Sequence, residues 1–266
     1  MALMPPMPTG EVRTEICTEC GGRGWVIESD GGAGAATPCD CQRDARAPRL
    51  LAAAGIPDRY LGCTLANFEI DEQGRLLEAR EVCSRYIEQF VTERGRFTES
   101  GLLFLGRPGV GKTHLAVSVL KELIARYGVR GRFEDFTSFI HRIQATFEPG
   151  TVDSKNSILS RATEAELLVL DELGAQKPSA WVSEILYLVI NTRYNHRLPT
   201  IFTTNLRLEA PSSDEPLDRE RSAPSEDPLS WRVPARLISR LYEMARPISI
   251  DAADFRVEIK SHQHNF

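Results

Sequence analysis

The stretch GLLFLGRPGVGKTHLAVSVLKELIARYG, residues 101–128, decides the fold. A short apolar run leads into a glycine-rich turn and then into an amphipathic helix pattern. Leu115, Val119, Leu120, Leu123 and Ile124 share one face of that helix, and Gly128 is its stop signal. The turn, GRPGVGKT from Gly106 to Thr113, has the spacing G-x-x-x-x-G-K-[ST] in the context that gives it mechanical meaning, strand before and helix after. Its glycines let successive backbone N–H groups face inward around phosphate oxygens, and the helix N-terminus adds partial positive charge. The cradle comprises Gly106, Arg107, Pro108, Gly109, Val110, Gly111, Lys112 and Thr113. Lys112 is expected to reach the terminal phosphates, and Thr113 to offer a hydroxyl to magnesium.

Working outward, RFEDF (132–136), ELLVLDE (166–172) and TIFTTN (200–205) read as further strands, with helices beginning near Lys112, Thr137 and Ala180. That alternation predicts an α/β fold, a mainly parallel sheet flanked by helices. Upstream, Gly74 to Phe90 carries Leu76, Ala79, Cys83, Tyr86, Ile87 and Phe90 at helical spacing. No internal repeat is evident. The resulting division is residues 1–60 as one domain, 61–98 as a helical linker and start of the second, and 99–266 as the main domain.

Two strand ends carry chemistry. The apolar run Leu167 to Leu170 finishes in Asp171 and Glu172, and a strand buried on both faces has little reason to do so unless a cation or water needs them. Asp171 is expected to hold magnesium through its water shell, and Glu172 to polarise the water that attacks a terminal phosphate. TIFTTN ends in Asn205, which at a strand tip can hydrogen-bond that water or the phosphate; Thr204 is the second choice, and a plain turn asparagine the alternative. Downstream, RLISRLYEM (236–244) is a short amphipathic helix with Leu237, Leu241 and Met244 on one face. Arg236 and Arg240, four apart, suit either a solvated surface or an arginine finger reaching a triphosphate across a subunit boundary.

The chain has 266 residues, 42% of them hydrophobic and 26% charged, which excludes disordered, collagen-like and disulfide-scaffold classes. Apolar stretches such as Ile185 to Ile190 fall far short of the roughly 20 residues that span a bilayer. The N-terminus lacks a basic region and is broken by three prolines, so a cytoplasmic protein without membrane contact is expected. Net charge is −5, and residues 209–231 alone hold seven acids and two bases, so the remainder is neutral. Their Pro, Ser and acid content reads as a solvated loop insertion.

Cys17 and Cys20 form C-x₂-C, and after eighteen intervening residues Cys39 and Cys41 form C-x-C. Four thiolates in two close pairs match tetrahedral structural zinc, with iron–sulfur ligation as the alternative. Cys63 and Cys83 stand outside that cluster, and Cys83 falls on the apolar helix face.

GRPGVGKTHLA, LLVLDELG, TIFTTN and the RLxxRL helix together resemble the DnaC/IstB branch of AAA+ ATPases, which comprises bacterial replicative-helicase loaders and their transposition relatives. The resemblance covers about residues 55–260 and includes the upstream segment AGIPDRYLGCTLANF. It implies an AAA+ P-loop ATPase preceded by a small zinc-binding N-terminal domain that grips a hexameric replicative helicase. The ATPase domain would oligomerise on ATP binding and contact single-stranded DNA. On this resemblance Gly106 to Thr113 correspond to Walker A, Asp171 and Glu172 to Walker B, Asn205 to sensor 1, and Arg240 to the arginine finger. Arg256 in DAADFR sits where loaders carry a Ser-Tyr-Arg ending and would serve as a second nucleotide sensor. The implied cofactors are ATP, Mg²⁺ and Zn²⁺.

Three other readings compete: a transposition helper that marks target DNA, an adaptor acting through its zinc module with a nucleotide switch, and a small-molecule kinase. For DNA contact, Arg126, Arg130, Arg132, Arg142, Lys155 and Arg161 lie around the second strand of the domain, where cations can follow a single strand's backbone.

Overall fold

The computed structural model describes residues 18, 25–27, 36–38, 40–70, 75–92, 95–148, 153–176, 179–207 and 228–258. The chain divides into two units, Met1–Arg46 and Ala47–Phe266. In the first, β1 (Trp25–Ile27) pairs antiparallel with β2 (Ala36–Pro38), Val26 facing Thr37. A helix, α1 (Asp40–Ala53), follows; its Pro48 and charged composition hide it from a reading by apolar periodicity.

In the second unit five strands form one parallel sheet. They are β3 (Gly101–Gly106), β4 (Gly131–Asp135), β5 (Leu167–Asp171), β6 (Thr200–Thr204) and β7 (Ala245–Ile250), in the order β4-β5-β6-β3-β7. The order places β3 between β6 and β7, so the chain reverses its winding beside the end of β3. In open α/β sheets such a switch point opens a crevice at the carboxyl ends of the strands.

The side chains of β3 alternate between two cores, as the strand period demands. Leu102 and Phe104 face a layer made by α2 (Arg75–Glu88) and α3 (Lys112–Tyr127), with Cys83, Ile87, Leu115 and Leu120 buried there. Leu103 and Leu105 face the other core, with α4 (Phe136–Ala145), α5 (Lys155–Thr163), α6 (Ala180–Asn195) and α7 (Ala235–Met244). Leu168, Leu170 and Phe202 belong to this second core and Val169 and Ile201 to the first, which is why these strands read as continuous apolar runs.

Local chemistry sets the boundaries. Gly128 ends α3 in the left-handed region at φ 64°. The Asp135 carboxylate accepts from Ser138 N at 2.8 Å, so β4 stops one residue earlier than its apolar pattern suggests and Phe136 opens α4. Helix α5 and strand β7 are among the elements that go beyond the sequence reading. Helix α5 buries only Ile158, Leu159 and Ala162. Strand β7 contains Pro247, which an edge strand tolerates and a central one does not.

Residues 47–60, grouped by composition with the N-terminal domain, pack as part of the second unit. Ala54 is fully buried, its carbonyl accepts from Phe133 N at 2.7 Å, and Arg132 Nη1 donates to Ala53 O at 3.1 Å. Among the described residues no helix is long and apolar enough to cross a membrane. The last helix, α8 (Phe255–Glu258), is short.

Candidate functional site

The glycine-rich loop connects β3 to α3 at the switch point. Gly109 (φ 81°) and Gly111 (φ 91°) hold left-handed conformations. A Cβ on Gly109 would stand 1.8 Å from Asp254 Oδ1, and one on Gly111 2.5 Å from Phe68 Cε2, so these positions exclude side chains by conformation and by contact. Lys112 is buried, and its ammonium donates to Gly106 O at 2.8 Å and Arg107 O at 2.7 Å. Burial pushes its pKa down to about 8; Asp171 and Glu172 pull the other way, and Arg256 adds to the push. An anion in the loop would reverse that penalty.

Three hydroxyl and carboxylate groups meet beneath the loop. Thr113 Oγ1 donates to Asp171 Oδ1 at 2.9 Å, and Thr203 Oγ1 donates to the same oxygen at 2.6 Å. Thr203 Oγ1 also accepts from Glu172 N at 3.0 Å, and Leu173 N donates to Thr203 O at 2.8 Å. Glu172 itself sits at φ 57°, unusual for a residue with a Cβ, and its side chain is exposed. Strand β6 thus holds the backbone of Glu172 in place while its side chain stays exposed. Asp171 is buried, and burial raises its pKa to about 6; the Thr203 and Thr113 hydroxyls oppose the rise, and Glu172 and Asp135 add to it. The Thr113 and Asp171 oxygens, hard donors beside a phosphate loop, fit magnesium, which takes one or two protein oxygens and otherwise keeps water and phosphate.

Thr203 is the residue that motif reading missed, because a threonine inside a strand looks like ordinary β-branched filling. Thr204, the second choice for the sensor role, is instead spent on structure: it is fully buried, donates to Leu173 O at 2.7 Å and accepts from Leu206 N at 3.1 Å. Asn205 lines a cavity of about 240 Å³ together with Pro108, Glu172 and Arg232. Arg232 gave no sequence signal, since it follows the Pro- and acid-rich segment without any periodic pattern.

The segment upstream of α2 is fastened to α3. His114 Nε2 lies 2.8 Å from Thr64 O, Lys121 Nζ bonds Leu61 O and, at 2.8 Å, Cys63 O, and the Phe68 ring meets His114 edge-on at 5.3 Å. Tyr60 is half-buried; burial lifts its phenol above the ordinary range, and the charges of Arg59, Asp171 and Arg256 reach it. From the far end of the chain, Phe255 N donates to Gly109 O at 3.3 Å, placing the start of α8 over the loop. Arg256 therefore stands near Lys112.

Arg236 and Arg240 are elsewhere, on the face between α6 and α7. The Arg236 guanidinium lies 4.3 Å from the centre of the Tyr187 ring; Arg240 lies 5.3 Å from Tyr187 and 5.4 Å from Tyr194. Arg240 Nη1 is buried and has no hydrogen-bond acceptor among the described residues.

The basic residues expected to track a DNA strand are mostly paired. Arg126 bonds Glu122, Arg130 bonds Glu166, Arg161 bonds Asp153, and both Arg132 and Arg142 converge on Glu134, which is only 2% exposed. The exposed pairs can exchange for phosphate at small cost, but the Glu134 cluster cannot. Of the four cysteines expected to hold zinc, Cys17, Cys20 and Cys39 lie outside the described residues, as does the side chain of Cys41. Cys83 is fully buried, its thiol pushed up to about 12 by burial.

A parallel five-stranded sheet with the loop at its switch point, acids on the third strand and a polar tip on the fourth defines a P-loop nucleotide-binding protein of the AAA+ class. The chain belongs to the family described as IstB-like ATP binding protein, whose match spans residues 42–214. Among curated proteins, it is 28% identical over 162 residues to the replicative helicase loader DnaC of Escherichia coli K12, covering 60% of this chain and 62% of DnaC. It is 26% identical over 177 residues to the uncharacterised protein YqaM of Bacillus subtilis, covering 64% of this chain and 55% of YqaM. The chain thus spans 55% to 62% of the length of these relatives. Among solved structures, it resembles the crystal structure of the DnaC helicase loader at 29% identity and a TM-score of 0.58, over 73% of this chain and all of that one.

Proposed function

We propose that the chain is an ATP-hydrolysing helicase loader of DNA replication. The observation that carries the ATPase part is the Thr113–Asp171–Thr203–Glu172 arrangement beside the phosphate loop. Magnesium would be held by Thr113 and Asp171, and when bound it would neutralise charge on the terminal phosphates. Lys112 would swing its ammonium from the Gly106 and Arg107 carbonyls to those phosphates. Glu172 would take the proton of the attacking water, with Asn205 orienting that water, to give ADP and phosphate. Arg240, its Nη1 without an acceptor among the described residues, would complete the site of a neighbouring subunit in a homo-oligomer formed on ATP binding.

The loader reading is supported by the likeness to DnaC helicase loaders. It carries with it a hexameric replicative helicase as partner, single-stranded DNA as a second ligand, and the cytoplasm as location. The N-terminal unit, with zinc held by Cys17, Cys20, Cys39 and Cys41, would grip the helicase. The family description equally favours a second reading, an IstB-like helper that uses the same ATPase core in transposition.

Two measurements test the proposal. Glu172→Gln should bind Mg-ATP as the parent does while losing turnover by about 10²-fold or more; undiminished turnover removes Glu172 from the reaction. Full-length protein mixed with its host's replicative helicase and Mg-ATP should form a complex that places the helicase on single-stranded DNA. Failure to bind the helicase, with capture of the cognate transposase, selects the second reading.

A further inference from the structure

The turn after residue 228 does more than lead into α7. The chain returns beside the end of β6 through a bridge between Arg207 and Pro228, with Leu229 N donating to Arg207 O at 2.6 Å. A single 3₁₀ turn follows, closed by Arg232 N to Leu229 O at 2.9 Å and Val233 N to Leu229 O at 2.8 Å. Leu229 and Val233 are buried at 0% and 2% exposure, so the turn is fixed from within. Its outer wall is Gly174 (φ 83°), where a Cβ would lie 2.7 Å from Leu206 Cδ1, 3.1 Å from Leu229 Cδ1 and 3.3 Å from Arg232 Cβ. The stem of Arg232 is thereby locked against the loop that follows Glu172, and it lines the same cavity as Glu172, Asn205 and Pro108.

We infer that Arg232 is a catalytic arginine acting within its own chain, its guanidinium contacting the terminal phosphoryl group of the nucleotide held by that chain's phosphate loop. The inference rests on the ATPase reading above and adds to it a cation distinct from Arg240. Pro108 of the loop, Glu172 and Asn205, which line the cavity with it, are this chain's own proposed reaction apparatus, so Arg232 needs no neighbour to reach it. Arg240, by contrast, is stacked on the tyrosines of α6.

The step gives this position a task. The water oxygen bonds to the terminal phosphorus as the bond from phosphorus to the leaving oxygen of ADP breaks. Glu172 takes the water proton, and ADP departs with the bonding pair. Negative charge spreads over the three equatorial oxygens of the transferring group, and a planar guanidinium can pair with two of them at once. Arg232 moves no proton in this step; it supplies positive charge and a planar fork. Its contribution is charge placed beforehand by a packed turn, so it does not depend on assembly.

The test is single-turnover hydrolysis of Mg-ATP by the full-length protein over a range of protein concentrations, with binding of a non-hydrolysable ATP analogue measured in parallel. Arg232→Ala should lower the rate by about 10²-fold or more at every concentration. Analogue affinity should change by less than about 3-fold, because the contact strengthens in the transition state. Arg232→Lys keeps the packed stem, serves where truncation loosens the turn, and should recover little of the rate for want of a planar fork. Mixing Arg232→Ala chains with Lys112→Ala chains should restore nothing, whereas Arg240→Ala mixed with Lys112→Ala should recover turnover. Restoration in the first mixture would place Arg232 across a subunit boundary and overturn the inference. So would an unchanged rate in Arg232→Ala, or equal losses of rate and analogue affinity; both leave the ATPase reading standing. A wild-type protein that binds Mg-ATP without hydrolysing it would overturn both.

Discussion

The carboxyl tips of β3, β5 and β6 and the face between α6 and α7 both set charged side chains into an apolar frame, yet they are finished to different degrees. At the strand tips the buried polar groups answer one another: Asp171 receives two hydroxyls, Lys112 gives to two carbonyls, and Thr203 joins the Asp171 carboxylate to the Glu172 amide. On the helix face Arg240 has aromatic rings beside it and a buried Nη1 with no acceptor among the described residues. A buried donor left unpaired costs roughly 1–3 kcal/mol. The difference fits the proposal that the strand-tip site is complete in a single chain and that Arg240 meets its acceptor in a neighbouring subunit.

The largest effect should break this contrast at its open side. Arg240→Ala is expected to lower turnover of the assembled protein by about 10³-fold while leaving ATP binding in place. The loss should fade as the protein is diluted to where wild type is itself slow, which a concentration series of initial rates would show. Equal losses at all dilutions would mean that Arg240 acts without a partner and that the two regions are not different in kind.

The closed side was easier to read in the sequence than the open one, for physical reasons. A phosphate loop must place glycines and a lysine at fixed offsets, since its backbone does the binding, and those offsets survive as text. An acid ending a doubly buried strand is equally conspicuous. Thr203 was not legible, because its role depends on the register of β6 against β5, with Leu170 facing Phe202, and no local pattern encodes that register. Arg232 was hidden for a similar reason: its place comes from Leu229, Val233 and Gly174 packing around a turn that follows a solvated-looking segment. Strand β7 was masked by Pro247 and by alternating exposure along an edge. Composition changes near residue 60, whereas burial of Ala54 and Ile56 begins earlier, a packing feature that composition does not carry.

Next in size is the link between Asp171 and Glu172. Thr203→Val removes the hydroxyl that serves both, leaving a buried carboxylate oxygen short of one donor and the strained amide without its acceptor. A loss of about 1–3 kcal/mol, or roughly 5- to 150-fold, is expected in kcat and in Mg²⁺ affinity. Thr203→Ser should restore most of both, an outcome that a merely space-filling threonine would not produce. Smaller still is a change in the loop. Gly111→Ala must place a Cβ at φ 91° and 2.5 Å from Phe68, so stability should fall by about 1–3 kcal/mol in denaturant unfolding, before any nucleotide is added.

The smallest effect sharpens the contrast through pH. Burial holds Asp171 up at about 6, against an ordinary 3.8, so the folded chain binds this proton more tightly than the unfolded chain does. The sign follows: this group's contribution to stability is fully present below the unfolded value, is lost as pH rises through about 6, and amounts to roughly 3 kcal/mol of the difference by pH 7. Magnesium competes with the same proton, so it should restore above pH 6 what deprotonation removed. Its affinity should be flat above about pH 7 and fall by up to tenfold per unit well below pH 6. Thermal midpoints with and without Mg²⁺-nucleotide at pH 5 and pH 7.5 would show the larger gain at the higher pH. Thr203→Val, lacking a hydroxyl that opposes the rise, should move that transition to higher pH. Arg240→Ala should leave it where it is, because Arg240 stands against Tyr187 and Tyr194 on the other face, away from Asp171. A midpoint shifted equally by both substitutions would mean that the two faces share one electrostatic site and that the closed and open regions are one.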